Sequence, residues 1–129
     1  MPFFSQRSLE RLSNCAPELQ LVMHEAIDEF DFTVLCAHRG REDQDAAFSS
    51  GASKVRWPNS KHNSFPSRAV DIAPYPVDWN DIQRFEEMGR VVLAAAERNG
   101  IRLRWGHDWD MDGKPGEPGE CDCPHFELL

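Results

Sequence analysis

The residues of this chain best suited to chemistry are two histidines and two aspartates. His62 and Asp71 lie in one stretch, residues 60–71, which begins in a loop rich in Pro, Asn and Ser and runs into the apolar segment 69–73. Their spacing is too large for one helical turn, so a loop that closes onto a strand would bring an imidazole and a carboxylate to one point. Zn²⁺ accepts both ligand types at about 2.0–2.2 Å.

A third ligand candidate, His125, lies near the C-terminus, directly after Pro124 and at the start of an apolar segment. With His62 and Asp71 it supplies two imidazoles and one carboxylate, which leaves a fourth tetrahedral position for water. Three protein ligands plus water are typical of a catalytic zinc site, whereas structural sites are usually closed by four ligands. Asp122, three residues before His125, is placed to act as a general base towards that water.

Hydrophobic periodicity predicts the elements that must position these residues. Runs of apolar residues at helical spacing predict four helices, and runs rich in β-branched and apolar residues predict four strands. The predicted helices are 8–12 with Ser8 as N-cap, one opened by Pro17, 42–48, and 82–99; the predicted strands are 31–37, 70–73, 101–105 and 125–128. Helices come first and a small sheet with a covering helix follows, so the expected fold class is α+β.

Composition and length narrow the function classes. The 129 residues carry 14 basic and 22 acidic side chains, and a net charge of −8 gives no electrostatic reason to bind nucleic acid or anionic membrane. No apolar run approaches the ~20 residues of a membrane span. Residues 1–7 lack the apolar core of a secretory signal, so we expect a cytoplasmic protein. The length predicts one domain, residues 1–129.

Three segments together resemble a known family of zinc peptidases. They are Ser60-Lys61-His62 followed by Ala69-Val70-Asp71-Ile72, then Trp105-Gly106-His107-Asp108-Trp109, then Asp122-Cys123-Pro124-His125-Phe126-Glu127-Leu128. The chain resembles the zinc peptidases of bacterial cell walls, which comprise the vancomycin-resistance-type D,D-peptidases and the phage L-alanyl-D-glutamate endolysins. The compact size and the aspartate before the last histidine are most similar to the endolysin branch. The resemblance implies a small antiparallel sheet that carries a zinc site between flanking helices, as in the hedgehog domain.

By that resemblance, His62, Asp71 and His125 are the zinc ligands and Asp122 is the catalytic base. Arg39 matches the arginine that, in the family, helps to bind substrate and to stabilise the oxyanion, a role that its fixed charge suits.

Ser60 matches the serine before the first ligand, which in the family is near the bound peptide. The departures are His38 for the usual Tyr, Ala37 for the usual Gly, and Phe65-Pro66-Ser67 where many relatives have glycine. These departures concern the substrate groove more than the metal.

The function that the resemblance implies is zinc-dependent hydrolysis of the L-alanyl-D-glutamate bond in peptidoglycan stem peptides. We expect one Zn²⁺ per chain and a monomer without a separate wall-binding domain, present in the host cytoplasm before its release to the cell wall. Two alternatives stay open. One is a D,D-carboxypeptidase that releases terminal D-Ala, and the other is a non-catalytic, zinc-stabilised binding module of the same fold.

An acidic loop is a second metal candidate. Asp108, Asp110 and Asp112 followed by Gly113 reproduce the first half of an EF-hand loop, so they are candidate Ca²⁺ ligands. The twelfth position is Gly119, with Glu120 one place late, so the alternative is a solvated acidic loop. Cys121 and Cys123 also suggest a structural zinc site, but a C-x-C spacing is narrower than that of the usual zinc motifs.

Overall fold

The computed structural model describes residues 2–118 and 122–129. Within these residues, four α-helices and four β-strands follow the α+β order expected from the sequence. They are α1 Gln6–Leu12, α2 Pro17–Ile27, β1 Phe32–Cys36, α3 Arg41–Ser49, β2 Ala69–Pro74, α4 Ile82–Arg98, β3 Leu103–Trp105 and β4 His125–Leu128, with a 3-10 turn at Lys61–Asn63 before β2. No helix of the described ranges is long and apolar enough to cross a membrane.

The four strands form one antiparallel sheet in the order β1-β2-β4-β3. Because side chains alternate between the two faces of a strand, each strand divides its residues between the core and the opposite face. The residues buried on the core face are Val70, Ile72, Leu103, Trp105, Phe126 and Leu128. The opposite face carries Asp71, Arg104, His125 and Glu127, so the sheet itself collects the polar groups at one place.

Helices cover the core face of this sheet. Helices α2 and α4 pack against each other, α4 contacts β2 and β3, and α1 contacts β1. The apolar stripe of α4 is buried at Phe85, Met88 and Val92, as its helical spacing predicts. At Gly89 a Cβ would lie 2.5 Å from the ring of Trp105, so only glycine lets this indole pack so closely against the helix.

Two sequence-based boundaries were wrong by two residues, and the others differ by at most one. Helix α1 begins at Gln6, and its N-cap is Ser5, whose Oγ accepts a hydrogen bond from Ser8 N at 3.1 Å. The Ser8 hydroxyl is buried instead and accepts a hydrogen bond from Val34 N at 3.0 Å, because the backbone of β1 needs a partner there. Strand β3 begins at Leu103, two residues later than predicted, because Ile101 N bonds to Ala96 O at the end of α4.

Candidate active site

His62 is held by the short turn that precedes β2. The Ser60 Oγ accepts a hydrogen bond from His62 N at 3.2 Å, and the Asn63 side chain accepts one from Ser60 N at 3.0 Å, which forms a capping box. The residue is 2% exposed, and its Nδ1 lies 2.7 Å from the Ala37 carbonyl oxygen. A carbonyl can only accept, so Nδ1 donates to it, and in the neutral imidazole the lone pair lies on Nε2.

Asp71 and His125 are direct partners across β2 and β4, so their side chains leave the sheet side by side. His125 Nδ1 lies 3.1 Å from Asp71 Oδ1, and His62 Nε2 lies 3.3 Å from the same oxygen. The other nitrogen of His125, Nε2, lies 2.8 Å from Glu127 Oε1. Each histidine therefore has one ring nitrogen held by the protein and the other directed at Asp71, the arrangement that usually orients metal-binding imidazoles.

The two distances from Asp71 Oδ1 to the imidazole nitrogens are those expected between neighbouring ligands of a tetrahedral metal ion. Two ligand atoms about 2.0 Å from a tetrahedral ion are roughly 3.3 Å apart, and the two contacts to Asp71 are 3.3 and 3.1 Å. In addition, His62 Nε2 is buried and makes no hydrogen bond within the described part of the chain. A buried acceptor without a hydrogen bond is costly unless something else satisfies it, and a metal ion at this point would do so.

The charges around this point favour a cation. Burial opposes charging of both imidazoles, but hydrogen bonds and the nearby Asp71 carboxylate raise the pKa of His62 to about 10 and that of His125 to about 9. Burial likewise opposes ionisation of Asp71, yet its hydrogen bond to His125 and the nearby imidazole of His62 hold its pKa well below the usual range. The protein thus stabilises positive charge beside Asp71, which is the charge that a divalent metal brings.

Cys36 is a neighbouring metal-binding candidate that the sequence analysis missed. An irregularity in β1 between Val34 and Cys36 places Cys36 opposite Asp71. Cys36, His62 and Asp71 offer ligand atoms that all lie within 4.8 Å of one another, so they form a group able to hold a metal ion. The Cys36 Sγ, however, contacts the Nδ1 edge of His62 at 3.9 Å, the edge already bonded to a carbonyl. The β-bulge that brings Cys36 here has no signal in the sequence.

A cleft of about 610 Å³ runs past this cluster. It is lined by every residue that the sequence analysis named for zinc binding, catalysis or substrate binding, namely Arg39, Ser60, His62, Asp71, Asp122 and His125. The Arg39 guanidinium lies 3.7 Å from Asp71 Oδ2 and donates a hydrogen bond to Gln44 Oε1 at 3.0 Å. The cleft therefore combines a candidate metal centre with a fixed cation and a carboxylate on its wall.

Asp122 also lines this cleft. The residue as a whole is exposed, but the surrounding protein desolvates its carboxyl group, and this burial, with the Asp71 charge, raises the pKa of Asp122. Its backbone is tied to the sheet, because Asp122 N donates to Gly106 O at 3.1 Å and Gly106 N donates to His125 O at 2.8 Å. Backbone hydrogen bonds to Gly106 therefore connect Asp122, the candidate base, with His125, the third candidate ligand.

Gln44 is a second residue whose role the sequence analysis missed. Its side chain is fully buried, and its Oε1 accepts hydrogen bonds from Arg39 at 3.0 Å and from Asn63 at 3.2 Å. Its Nε2 donates to Ser53 Oγ at 2.9 Å and to the Val55 carbonyl at 2.8 Å. Gln44 therefore connects the arginine, the turn that bears His62 and one wall of the cleft.

The acidic loop lies beside the cleft. Asp108, Asp110 and Asp112 offer carboxylate oxygens within 4.8 Å of one another, as the EF-hand-like motif predicts. Asp108 is 7% exposed, and its Oδ2 accepts a hydrogen bond from Gly113 N at 3.0 Å. Burial raises the pKa of Asp108, and the neighbouring carboxylates raise it further. Gly119 and Glu120, which concern the closure of this loop, and Cys121 lie outside the described residues.

Comparison with known proteins supports the family resemblance that the sequence motifs indicate. A family model described as phage L-alanyl-D-glutamate peptidase matches residues 1–129. The L-alanyl-D-glutamate peptidase of Escherichia phage T5 is 31% identical over 134 residues, which cover 98% of this chain and 97% of that protein. The crystal structure of Serratia marcescens L-Ala D-Glu endopeptidase ChiX is similar with a TM-score of 0.77 and 27% identity, covering 99% of this chain and 91% of that one. The chain belongs to the phage L-alanyl-D-glutamate peptidase family.

Proposed function

We propose that this chain is a zinc-dependent peptidase that hydrolyses the L-alanyl-D-glutamate bond of peptidoglycan stem peptides. The observation that carries the proposal is the approach of two imidazole nitrogens, from His62 and His125, to one carboxylate oxygen of Asp71 on the wall of a large cleft. The family, and the activity for which the two similar proteins are named, support the choice of bond.

The residues that would hold the zinc ion are His62 through Nε2, His125 through Nδ1 and Asp71 through Oδ1. When bound, Zn²⁺ supplies a Lewis acid that polarises a carbonyl group and acidifies water. Cys36 is left outside this set because the imidazole edge that it contacts is already engaged with the Ala37 carbonyl.

Asp122 transfers protons during the reaction, and Arg39 stabilises the developing negative charge. Asp122 takes one proton from the attacking water while the water oxygen bonds to the carbonyl carbon of L-alanine. As the carbon–nitrogen bond breaks, Asp122 returns that proton to the leaving amine of D-glutamate. Arg39 directs fixed N–H donors at the oxyanion that develops on the carbonyl, an effect worth about 10²–10³-fold in rate in related cases. Gln44 holds Arg39 in place for this role.

The identity of the products tests this function. A defined stem peptide is incubated with zinc-loaded protein, and the products are identified by mass spectrometry. The proposal expects a fragment that begins with D-glutamate. Release of terminal D-Ala would instead indicate a D,D-carboxypeptidase, and the absence of cleavage of both peptide and intact cell walls would favour a non-catalytic binding module.

We also infer that the acidic loop binds Ca²⁺ through Asp108, Asp110 and Asp112. Two observations support this: the three carboxylates converge, and the buried Asp108 Oδ1 makes no hydrogen bond with any residue that the structure describes. Calcium prefers such oxygen ligands.

Calorimetry on the zinc-loaded protein should give a heat of Ca²⁺ binding, and millimolar Ca²⁺ should raise the melting temperature of the protein. The Asp108→Asn variant should lose most of both effects. If the wild type gives neither a heat nor a shift, the loop is only a solvated acidic segment.

A further inference from the structure

The cleft is lined by more basic than acidic side chains, whereas the whole chain carries a net negative charge. The chain has a net charge of −8, yet its cleft wall has more basic than acidic side chains. The basic residues that line it are Arg39, Lys54, Lys61 and Arg104, and the acidic ones are Asp71, Asp122 and Glu127. A cleft wall with one more basic than acidic side chain, on a protein that is acidic overall, favours an anionic ligand.

Three of the four cations already have a carboxylate partner. Arg39 lies 3.7 Å from Asp71 Oδ2. Lys61 Nζ and an Arg104 guanidinium nitrogen lie 3.3 and 2.9 Å from Glu127 Oε2. Lys61 and Arg104 share Glu127, the partner of His125, and Arg39 faces Asp71 and is assigned to the oxyanion. None of the three is therefore available for a separate carboxylate of the substrate.

Lys54 is the fourth cation, and it differs from the others. Its side chain is exposed, and it makes no ion pair with any residue in 2–118 or 122–129. The backbone on both sides of it is nevertheless held. Gln44 Nε2 donates to Ser53 Oγ at 2.9 Å and to the Val55 carbonyl at 2.8 Å, and Ser53 N donates to Ala47 O at 3.0 Å. Binding would therefore have to order only the lysine side chain.

We propose that Lys54 binds the free carboxylate of the D-glutamyl residue of the substrate, an inference that rests on the proposed function. A glutamate residue within a linear peptide uses one carboxyl group in the next peptide bond and keeps the other as a carboxylate. This carboxylate lies within one residue of the scissile bond, so it enters the same cleft. An ammonium group on a flexible stem is a compact point charge that suits a single carboxylate.

Two stem peptides that differ in one group test this subsite. One carries D-glutamate with a free carboxylate, and the other carries the corresponding amide. Both are given to the zinc-loaded wild type and to the Lys54→Gln and Lys54→Arg variants. The wild type should prefer the carboxylate peptide by about tenfold in kcat/KM. Lys54→Gln should lose this preference by losing activity on the carboxylate peptide, and Lys54→Arg should keep most of it.

Arg90→Gln is the matched control, because Arg90 is an exposed cation on α4 that does not line the cleft. It should keep the wild-type preference. Binding of both peptides to the Asp122→Asn variant, measured by calorimetry, provides a second readout that does not depend on turnover. Lys54 does not bind this carboxylate if Lys54→Gln keeps the full preference for the carboxylate peptide, or if the wild type cleaves both peptides equally well. If the wild type neither cleaves nor binds either peptide, the proposed function fails, and the subsite fails with it.

Discussion

Gly106 approaches Asp122 so closely that a Cβ on Gly106 would lie 2.4 Å from the Asp122 carbonyl oxygen and 2.8 Å from its Cβ. The same glycine accepts a hydrogen bond from Asp122 N at 3.1 Å and donates one to the His125 carbonyl at 2.8 Å. The absence of a side chain at position 106 therefore sets the distance between the proposed base and the strand that carries His125.

Replacement of Gly106 by Ala should displace Asp122 and lower kcat by roughly 100-fold, because small misplacements of catalytic groups have effects of that size. Zinc content should stay near that of the wild type, since the three proposed ligands are untouched. Gly40→Ala is the control, because a Cβ there meets nothing within 4 Å. Full activity in Gly106→Ala would show that the position of Asp122 does not matter for the reaction.

The Asp122→Asn variant should keep its fold and its zinc but lose about 10²–10⁴-fold in rate, because the amide cannot accept the proton from water. Turbidity loss of outer-membrane-stripped Gram-negative cells measures the rate, and circular dichroism checks the fold. Unchanged lysis by this variant would remove Asp122 as the base.

Replacement of Glu127 by Gln should weaken zinc binding by about 10–100-fold, the usual effect of losing the group that orients a metal-binding histidine. Glu127 accepts from His125 Nε2 at 2.8 Å, and although burial opposes its ionisation, contacts to His125, Arg104 and Lys61 lower its pKa to about 2. Competition with a chromophoric chelator gives the affinity. Glu87→Gln, an exposed change on α4, should have no effect. Equal affinities in the two variants would exclude a positioning role for Glu127.

The Cys36→Ser variant distinguishes the two possible sets of metal ligands, one with His125 and the other with Cys36. If zinc is held by His62, Asp71 and His125, this variant should keep one zinc per chain and most of its activity. Elemental analysis after dialysis measures the stoichiometry. Loss of the zinc would mean that Cys36 is itself a ligand, as its position within 4.8 Å of His62 and Asp71 would allow.

The sequence predicted the parts of this structure that depend on local pattern. Runs of apolar and β-branched residues identified β2 and β4, and motif spacing selected Asp71 and His125, which the structure pairs directly across those strands. Because His125 and Glu127 are two residues apart on one strand, their position on the same face of the sheet could also have been predicted.

The parts that the sequence did not predict depend on contacts between distant segments. The bulge before Cys36 changes the register of β1 by an amount that no local pattern encodes. Gln44 gains its importance from hydrogen bonds to Asn63, 19 positions away, and to Val55, 11 positions away. Ser8 was assigned as a helix cap from its local context, but the backbone of β1 uses its hydroxyl.

The most direct test of the account is a zinc titration of the metal-free protein, followed through cleavage of the L-alanyl-D-glutamate bond in a defined stem peptide. We expect no cleavage without metal, and activity that rises linearly and stops rising at one Zn²⁺ per chain. His125→Ala, which removes one proposed ligand, should stay inactive at that stoichiometry. Cleavage of the same bond that persists after the metal has been removed, or that is unchanged in His125→Ala, would show that the reaction does not depend on zinc held by these residues.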